Sequence, residues 1–390
     1  MNENMNNEVM EMLDTANDEA VEMEEMGKLP ENYVIIGLGN CGNNVISEIA
    51  MRKSLEDTVL YAIDSTTSSV TMNNVSRVTY IPIVSDEKAG SGRDRVRGGD
   101  MYEHHEEIGD FEEMYDACMN AKNPVIVITS AAGGTGSGST PKLCKYLTSL
   151  DIHVIPIIVC PSMDDPDAYH LNNNDLFMEL EDAGIETYAV FRNVAGDANY
   201  APINKQIVDM VEIFLGRKYG PTNLDSIDDS DLDAILRMPG RIMAVTAKAN
   251  DIQNLTRQIT KQLFAGYQPA WTEDDANKFT FMTAYALKSM FAAQDFHGVF
   301  EEVRARVPHY IDEYRNIEQV DNNGECEAVV IVAGLPRPEI KSIESSYTGV
   351  GGIAAGMLKS TRPEFMGRKK SSFGKKKTAT TDRFKWKKNN

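Results

Sequence analysis

Residues 125–139 read VIVITSAAGGTGSGS, an apolar run typical of a buried strand followed by a loop with glycines at 133, 134, 136 and 138. Glycines lack Cβ atoms and therefore let the backbone approach a ligand closely. A helix is predicted from about Ser139, and its N-terminal amides and dipole would point at whatever the loop holds. The combination predicts a di- or triphosphate site. A Walker A loop would end in Gly-Lys-Ser/Thr, which this loop does not.

A second glycine loop, GLGNCG at 37–42, follows an apolar run and also opens a predicted helix. Its Gly-x-Gly-x-x-Gly spacing in that setting is typical of a dinucleotide-binding loop. Asp64 lies at the end of the next predicted strand, where such proteins place the acid that holds the ribose. An NAD-dependent oxidoreductase is therefore one candidate. The second phosphate loop, 133–138, favours instead a nucleoside triphosphate held from two sides.

Strand-like apolar runs alternate with segments of helical spacing along the first half of the chain. This alternation predicts an α/β fold with a doubly wound parallel sheet, in which ligands bind at the carboxyl ends of the strands. Both glycine loops follow such strands. Three later runs predict a smaller second α/β domain with a mixed sheet. The runs lie at 33–37, 58–63, 78–83, 124–129, 153–159 and 187–191, and later at 241–246, 278–286 and 327–333.

Charge is distributed unevenly over the chain, whose net charge is −20. Residues 1–31 are acidic, whereas residues 359–390 hold twelve Lys or Arg against two acids. Both ends are predicted to be disordered extensions.

No apolar run approaches the roughly 18 residues that a membrane helix needs. Five scattered cysteines, none in a Cys-x-x-Cys pair, favour reduced thiols in a cytoplasmic protein.

GGTGSG at 133–138 resembles the signature of the tubulin/FtsZ superfamily, and the resemblance covers roughly residues 32–340. YAIDST at 61–66 resembles the second nucleotide loop of that family and KAGSGRDRVRGGD at 88–100 the third. The third loop lacks the usual Asn-Pro, and its three arginines, at 93, 95 and 97, are either phosphate contacts or part of a solvated basic loop. The resemblance implies a GTPase that binds GTP or GDP with Mg²⁺ and assembles head to tail with copies of itself.

The resemblance also implies which residues contact the nucleotide. Tyr200 and Asn204 stand four apart on a predicted helix, so the ring can stack on a purine while the amide bonds its edge. Mg²⁺ is expected to be held through the phosphates rather than by a protein metal site. The expected nucleotide-binding residues are Gly37, Gly39, Asn40, Cys41, Gly42, Asn44 with its neighbour Asn43 as the alternative, Asp64, Gly90, Gly92, Ala132, Gly133, Gly134, Thr135, Gly136, Ser137, Asn193, Tyr200 and Asn204.

The acidic stretch LDSIDDSDLDAILRMPG at 224–240 resembles the family's catalytic loop, which enters the nucleotide site of the next subunit. In the family a Asp-x-x-Asp or Asp-x-x-Glu pair positions the attacking water. Asp228 and Asp231 are the preferred catalytic pair because their distance from Gly240 fits the helix that follows this loop in relatives. Asp225 with Asp228 is the alternative pair. A third interpretation is that these aspartates only solvate a loop.

His104 and His105 are predicted to lie on a helix surface. Adjacent side chains on a helix point about 100° apart, so the two rings do not chelate one ion together.

Three features of the chain carry the most specific functional implication, and the predicted organisation has six segments. VAGLPRPE at 332–339, His105 with the two glutamates after it, and the basic tail resemble the TubZ branch, which partitions plasmids and phages. The implied function is a cytomotive filament whose tail binds DNA or a DNA-binding adaptor. The alternatives are an FtsZ-type ring protein, a phage-centring spindle protein, the NAD-dependent oxidoreductase and a structural DNA-binding protein. The segments are an acidic extension 1–31, a GTP-binding domain 32–199, a central helix 200–222, a second domain with the catalytic loop 223–340, a C-terminal segment 341–358 and a basic tail 359–390.

Overall fold

The computed structural model describes residues 32–66, 76–84, 90–194, 199–222, 224–307, 309–321, 324–339 and 341. The predicted acidic extension, almost all of the C-terminal segment and the basic tail lie outside the described residues.

One ten-stranded sheet runs through the described residues, with the strands in the order β3-β2-β1-β4-β5-β6-β7-β10-β8-β9. The first seven strands in this order, from β3 through β2 and β1 to β7, pair in parallel. Strand β10 pairs antiparallel with β7 and β8, and β9 pairs in parallel with β8. The strands are β1 Tyr33–Leu38, β2 Val59–Asp64, β3 Val78–Pro82, β4 Lys122–Ser130, β5 Val154–Cys160, β6 Thr187–Arg192, β7 Gly240–Ala249, β8 Phe281–Ser289, β9 Tyr310–Gln319 and β10 Cys326–Leu335.

Helices connect the strands and cover both faces of the sheet. The α-helices are α1 Gly39–Ala50, α2 Arg95–Glu107, α3 Glu112–Met119, α4 Thr135–Ser149, α5 Asp167–Asp182, α6 Ala201–Phe214, α7 Asp229–Leu236, α8 Ile252–Ala265, α9 Glu273–Lys278 and α10 Ala292–Ala305. None of them, within the described residues, is both long enough and apolar enough to serve as a membrane span.

The central strands read as continuous apolar runs because both of their faces are buried. On one face Ile35 packs in a cluster with Ile46 of α1 and Phe214 of α6. On the other face Ile36 packs with Tyr102 of α2 and residues of α4 and α5. A third cluster joins α8 and α10 to strands β7, β8 and β10. The layered arrangement confirms the predicted α/β class.

The strand order fixes where a ligand can bind. From β1 the chain moves to β2 and β3 on one side, and then to β4, β5 and β6 on the other. Such a reversal of strand order opens a crevice outside the carboxyl ends of the strands. Both glycine loops follow strands at this point, since Leu38 ends β1 and Ser130 ends β4.

Three expectations about individual elements need correction. The helix expected from about Ser139 begins at Thr135, so the last two glycines of the loop lie in its first turn. Strand β9 was not predicted because it is a polar edge strand, and its first three residues are exposed. The mixed sheet that was expected to form a separate second domain is continuous with the parallel sheet, since β6 pairs in parallel with β7 at Thr187 and Gly240.

Candidate functional site: a cleft at the carboxyl edge of the sheet

A cleft of about 440 Å³ opens where the strand order reverses. Its wall contains Leu38 at the end of β1, Asp64 at the end of β2 and Ser130 at the end of β4. A volume of this size lies within the range of small-molecule sites. The cleft therefore occupies the position that the sheet topology predicts for a ligand.

Most of the predicted nucleotide-binding residues line this one cleft, although they come from separate parts of the chain. Gly37, Gly42, Gly90 and Ser137 do not line it. Those that line it are Gly39, Asn40, Cys41, Asn44, Asp64, Gly92, Ala132, Gly133, Gly134, Thr135, Gly136, Asn193, Tyr200 and Asn204. Asn43, the alternative to Asn44, is buried and donates from its side chain to the carbonyl of Ile63.

Gly37 and Gly42 serve packing rather than the cleft wall. A Cβ atom on Gly37 would lie 2.7 Å from the backbone carbon of Gly42, and one on Gly42 would collide with the carbonyl oxygen of Ile128. The two glycines therefore let α1 approach β1 and β4 closely. Gly39 is the position with the special backbone conformation, because its φ of 69° turns the chain from the strand into the helix.

The loop at 133–138 is divided between the cleft and a helix contact. A Cβ on Gly133 would meet nothing within 4 Å, so this position opens into the cleft. A Cβ on Gly138 would instead collide with the carbonyl of Arg95 and lie 2.7 Å from the amide of Gly99. Gly138 was expected to contribute to the phosphate loop, and the structure uses it to pack α4 against α2.

Three hydroxyl side chains join the loops around the cleft. Thr135 Oγ1 lies 2.5 Å from Ser65 Oγ and 2.8 Å from Ser91 Oγ. The amide of Ser91 also donates to Ser65 Oγ at 3.0 Å. The sequence prediction included Thr135 but not Ser65 or Ser91. Both could have been predicted from the sequence, since Ser65 follows Asp64 and Ser91 lies between Gly90 and Gly92.

The far wall of the cleft offers amide groups and an aromatic ring. Asn193 Oδ1 is buried and has no hydrogen-bond partner within the described residues. Asn204 donates from Nδ2 to Glu48 Oε1 at 2.8 Å, which orients its side-chain oxygen. Tyr200 stands beside them at the start of α6, about half exposed. An unsatisfied buried polar atom is costly, so Asn193 suits a ligand that donates a hydrogen bond.

Cys41 in the cleft wall is a neutral thiol rather than a nucleophile. Burial raises its pKa to about 12, and only the thiolate is strongly nucleophilic. Within the described residues no group of three or more His, Cys, Asp or Glu side chains could hold a metal ion.

Helix α5 contributes to the cleft, which the sequence reasoning missed. Tyr169 of α5 and Asp165 in the loop before it line the cleft, and Asp165 Oδ2 accepts from the amide of Ser162 at 2.7 Å. These residues follow β5, whose carboxyl end lies at the same edge as the ends of β1 and β4. The sequence did place this loop after a predicted strand, and hence at the edge of the sheet where ligands bind. Acidic and aromatic residues are too common in loops for the sequence to single them out.

The three arginines at 93, 95 and 97 have different positions. Arg93 lines the cleft. Arg95 lies 2.8 Å from both carboxylate oxygens of Glu179 on α5, so it holds α2 against α5. Arg97 lies on α2 and is not among the cleft-lining residues.

The preferred catalytic pair lies at the N-terminus of α7 and forms a capping box. Asp228 Oδ1 accepts from the amides of Ser230 and Asp231 at 2.8 and 2.9 Å, and Asp231 Oδ2 accepts from the amide of Asp228 at 3.2 Å. Such a box satisfies amides that begin a helix. The two carboxylates therefore stand side by side, and the pattern Asp-x-x-Asp has a structural role as a helix cap.

This acidic turn lies at the amino edge of the sheet, opposite the cleft. The negative charge of Asp229 adds to burial in raising the pKa of Tyr33, the first residue of β1. The backbone carbonyl of Asp225, three residues before Asp228, accepts from the amide of Ile317 in β9 at 2.8 Å. None of Asp225, Asp228 and Asp231 is among the residues that line the cleft. Helix α6, with 14 residues and hence about 21 Å in length, runs from the cleft towards this edge.

The two adjacent histidines differ from each other. His104 is exposed, as predicted, but His105 is buried. His105 Nδ1 lies 2.6 Å from Asp110 Oδ2, and its Nε2 lies 3.1 Å from the carbonyl oxygen of Val84. The expectation of a surface position was therefore wrong for His105, because the turn after α2 folds a carboxylate back onto its ring.

Comparison with known proteins identifies relatives of the domain that holds the cleft. The model of the Tubulin/FtsZ family, GTPase domain, matches residues 32–195. Similar solved structures include a GTPgS-bound protofilament of CetZ2 from Haloferax volcanii, at 17% sequence identity and a TM-score of 0.62, which covers 79% of this chain and 95% of that one. An empty FtsZ dimer from M. jannaschii matches at 14% identity and a TM-score of 0.59, covering 84% and 98%. A GTPyS-form protofilament of TubZ from Bacillus thuringiensis serovar israelensis matches at 16% identity and a TM-score of 0.60, covering 80% and 89%. At these identities the structural likeness establishes the fold.

Proposed function

We propose, from the premise that residues 32–195 belong to the Tubulin/FtsZ family of GTPase domains, that this chain binds GTP in the cleft, hydrolyses it and polymerises head to tail. The observation that carries the proposal is the separation of two groups of residues. The phosphate loops lie at the carboxyl edge of the sheet, and the paired carboxylates of α7 lie at the amino edge.

The base would bind between Asn193, Tyr200 and Asn204. Guanine presents an N1–H and an N2–H that donate and an O6 that accepts, which matches the oxygen and the NH₂ group of an asparagine. The unpartnered Oδ1 of Asn193 supports this placement. One N–H of Asn204 Nδ2 is bonded to Glu48, which orients the side chain and leaves its oxygen and its second N–H for the ligand.

The phosphates would bind against Gly39, Gly133 and Gly134, where backbone approaches the cleft and two helices begin. The amides and dipoles of α1 and α4 favour anions there. Mg²⁺ bound through the phosphates would neutralise part of their charge.

Hydrolysis would require the acidic turn of a second copy of the chain. Asp228 and Asp231 belong to the opposite edge from the cleft, so a head-to-tail contact is the arrangement that unites the two. There the two carboxylates would orient the attacking water and help to balance charge at the phosphates. A contact between different surfaces of identical subunits that does not close into a ring produces a filament.

Electron microscopy and a GTPase assay together test this proposal. We expect filaments with GTP and none without nucleotide, and a rate per subunit that rises with protein concentration. A rate per subunit that stays constant over the range where filaments appear would contradict hydrolysis at the contact. Binding of NADH without filaments would support the oxidoreductase alternative.

The finer proposal concerns the role of the filament. We infer from the resemblance to the TubZ branch that it moves plasmid or phage DNA in the cytoplasm, with residues 359–390 binding DNA or a DNA-binding adaptor. Twelve positive charges on an otherwise acidic chain support electrostatic binding to an acidic partner. Truncation after Leu358 should leave GTP turnover and polymerisation intact and abolish salt-sensitive DNA or adaptor binding. Failure of the truncated chain to polymerise would contradict this role for the tail.

A further inference from the structure

The cleft has little positive charge for a site that would hold a triphosphate. Among the described residues that line it, Arg93 is the one lysine or arginine, whereas Asp64 and Asp165 carry carboxylates. The phosphates repel both carboxylates, and the repulsion is strong where water is partly excluded. A guanidinium is well suited to offset it because it can donate two parallel hydrogen bonds to a phosphate.

A contact with α5 places Arg93 at the cleft wall. Its guanidinium carbon lies 4.4 Å from the centre of the Tyr169 ring, and both residues line the cleft. A guanidinium stacked on an aromatic face is stabilised there and keeps its N–H groups free to donate in its own plane. Arg93 thus has a defined position although its side chain is exposed.

Asn172, one turn further along α5, fixes the backbone from which Arg93 extends. Its Nδ2 donates to the carbonyl of Arg93 at 3.0 Å and lies 3.3 Å from the carbonyls of Ala132 and Gly133. One amide group therefore joins the loop that carries Arg93 to the glycine loop after β4. Its replacement would leave these carbonyls without this donor and allow the two loops to separate.

We propose that Arg93 neutralises phosphate charge in the cleft, and that Tyr169 and Asn172 of α5 are the residues that position it. The proposal rests on the proposed function, because it assumes that the ligand is a nucleoside triphosphate. The neighbouring Arg95 cannot take this role, since Glu179 holds it between α2 and α5.

Calorimetric titration of the full chain with GTP and with GDP tests the role of Arg93. Arg93→Ala should weaken GTP binding by about tenfold or more, as expected for loss of hydrogen bonds to a charged group, and GDP binding by less because GDP carries fewer charges. Lys145→Ala, which removes an exposed positive charge from α4 outside the cleft, is the matched control and should match the parent.

A second set of variants tests the positioning residues. Tyr169→Phe keeps the ring and should bind GTP as the parent does, whereas Tyr169→Leu and Asn172→Leu should weaken GTP binding. In an Arg93→Ala background Tyr169→Leu should cause little further loss, because it acts through the arginine. Asn172→Leu should keep only part of its loss there, because it also removes the donor to the carbonyls of Ala132 and Gly133. Losses that persist in full in that background would show that the two residues only support the fold, and would overturn their assignment.

The outcomes separate this inference from the function on which it rests. If the parent chain fails to bind GTP, the proposed function is wrong and the inference is wrong with it. If the parent binds GTP and Arg93→Ala binds GTP and GDP with parental affinities, the inference alone is wrong.

Discussion

The two edges of the sheet differ in how they are built and in what they offer a ligand. At the carboxyl edge, loops from distant parts of the chain converge on one cleft and are joined by Ser65, Ser91 and Thr135. At the amino edge, one short segment presents two carboxylates at the start of α7, each of which accepts from the backbone amide of the other residue. The first edge has a cleft at which two helices begin, an arrangement that suits a phosphate ligand. Neither carboxylate of the second edge lines that cleft, so in the proposed mechanism they act on the cleft of another copy.

The largest expected effect comes from removing the acidic pair without unfolding α7. Asp228→Asn keeps a good N-cap residue while removing the charge, and Asp231→Ala removes the second carboxylate. Each should lower GTP hydrolysis by about 100- to 1,000-fold, as is usual when a group that acts in the transition state is lost, and leave GTP binding at the parental level. Steady-state turnover and nucleotide titration measure the two quantities.

Two further aspartates serve as references for that experiment. Asp233→Ala removes an acid of the same helix that pairs with Arg237, and we expect near-parental turnover. Asp225→Ala decides between the two pairs, because a loss as large as that of Asp231→Ala would favour Asp225 with Asp228. Parental turnover in both Asp228→Asn and Asp231→Ala would show that the amino edge has no catalytic role.

A smaller effect is expected at the wall of the cleft where we propose that the base binds. The parent should bind GTP about 10- to 100-fold more tightly than ATP, because a mismatched base leaves buried polar groups unpaired. Asn193→Ala should reduce this preference, since it removes the unpartnered Oδ1. Competition binding measures the ratio, with Asn120→Ala, an exposed asparagine after α3, as the control. Equal affinities of the parent for GTP and ATP would remove these residues from the site.

The sequence predicted the cleft better than it predicted the amino edge, for a physical reason. Glycine loops after apolar strands must lie at the carboxyl ends of a parallel sheet, so the position of Gly39 and Gly133 follows from the strand pattern. The roles of Gly42 and Gly138 did not follow, because a glycine needed for close helix packing looks the same as one that faces a ligand. Asn172 was missed because its three acceptors are backbone carbonyls of loops that come near it only in the folded chain.

The amino edge was ambiguous for a different reason. An Asp-x-x-Asp pair before a helix predicts a capping box as readily as a catalytic pair, and Asp228 and Asp231 do form that box. Only the three-dimensional position, remote from the cleft of the same chain, adds information about function. Strand β9 was overlooked because an edge strand with charged residues lacks the apolar alternation that predicts a strand.

The smallest expected effect tests the packing of the amino edge. Burial, aided by the charge of Arg237 and opposed by Asp233, lowers the pKa of His153 from 6.5 to about 4. Between these two pH values the unfolded chain takes up a proton that the folded chain does not, so this residue makes stability fall as the pH falls from 6.5 towards 4. Chemical denaturation of His153→Gln should show a shallower loss over that window than the parent. His104→Gln, which changes an exposed histidine, should follow the parent, and identical profiles for all three would contradict the burial of His153.

The central claim is that the cleft of one subunit is completed by the acidic turn of another, and a mixing experiment tests it most directly. Gly133→Asp places a carboxylate in the phosphate loop at a position where a Cβ meets nothing within 4 Å, so the chain should fold but repel GTP. Gly133→Asn is the uncharged control. Asp231→Ala retains the cleft and lacks the carboxylate. We predict that a mixture of Gly133→Asp and Asp231→Ala hydrolyses GTP faster than the sum of the rates of the two variants measured separately. Asp231→Ala supplies the intact cleft, and Gly133→Asp supplies the intact acidic turn. A mixture no faster than that sum, under conditions where the two variants co-assemble, would contradict the claim.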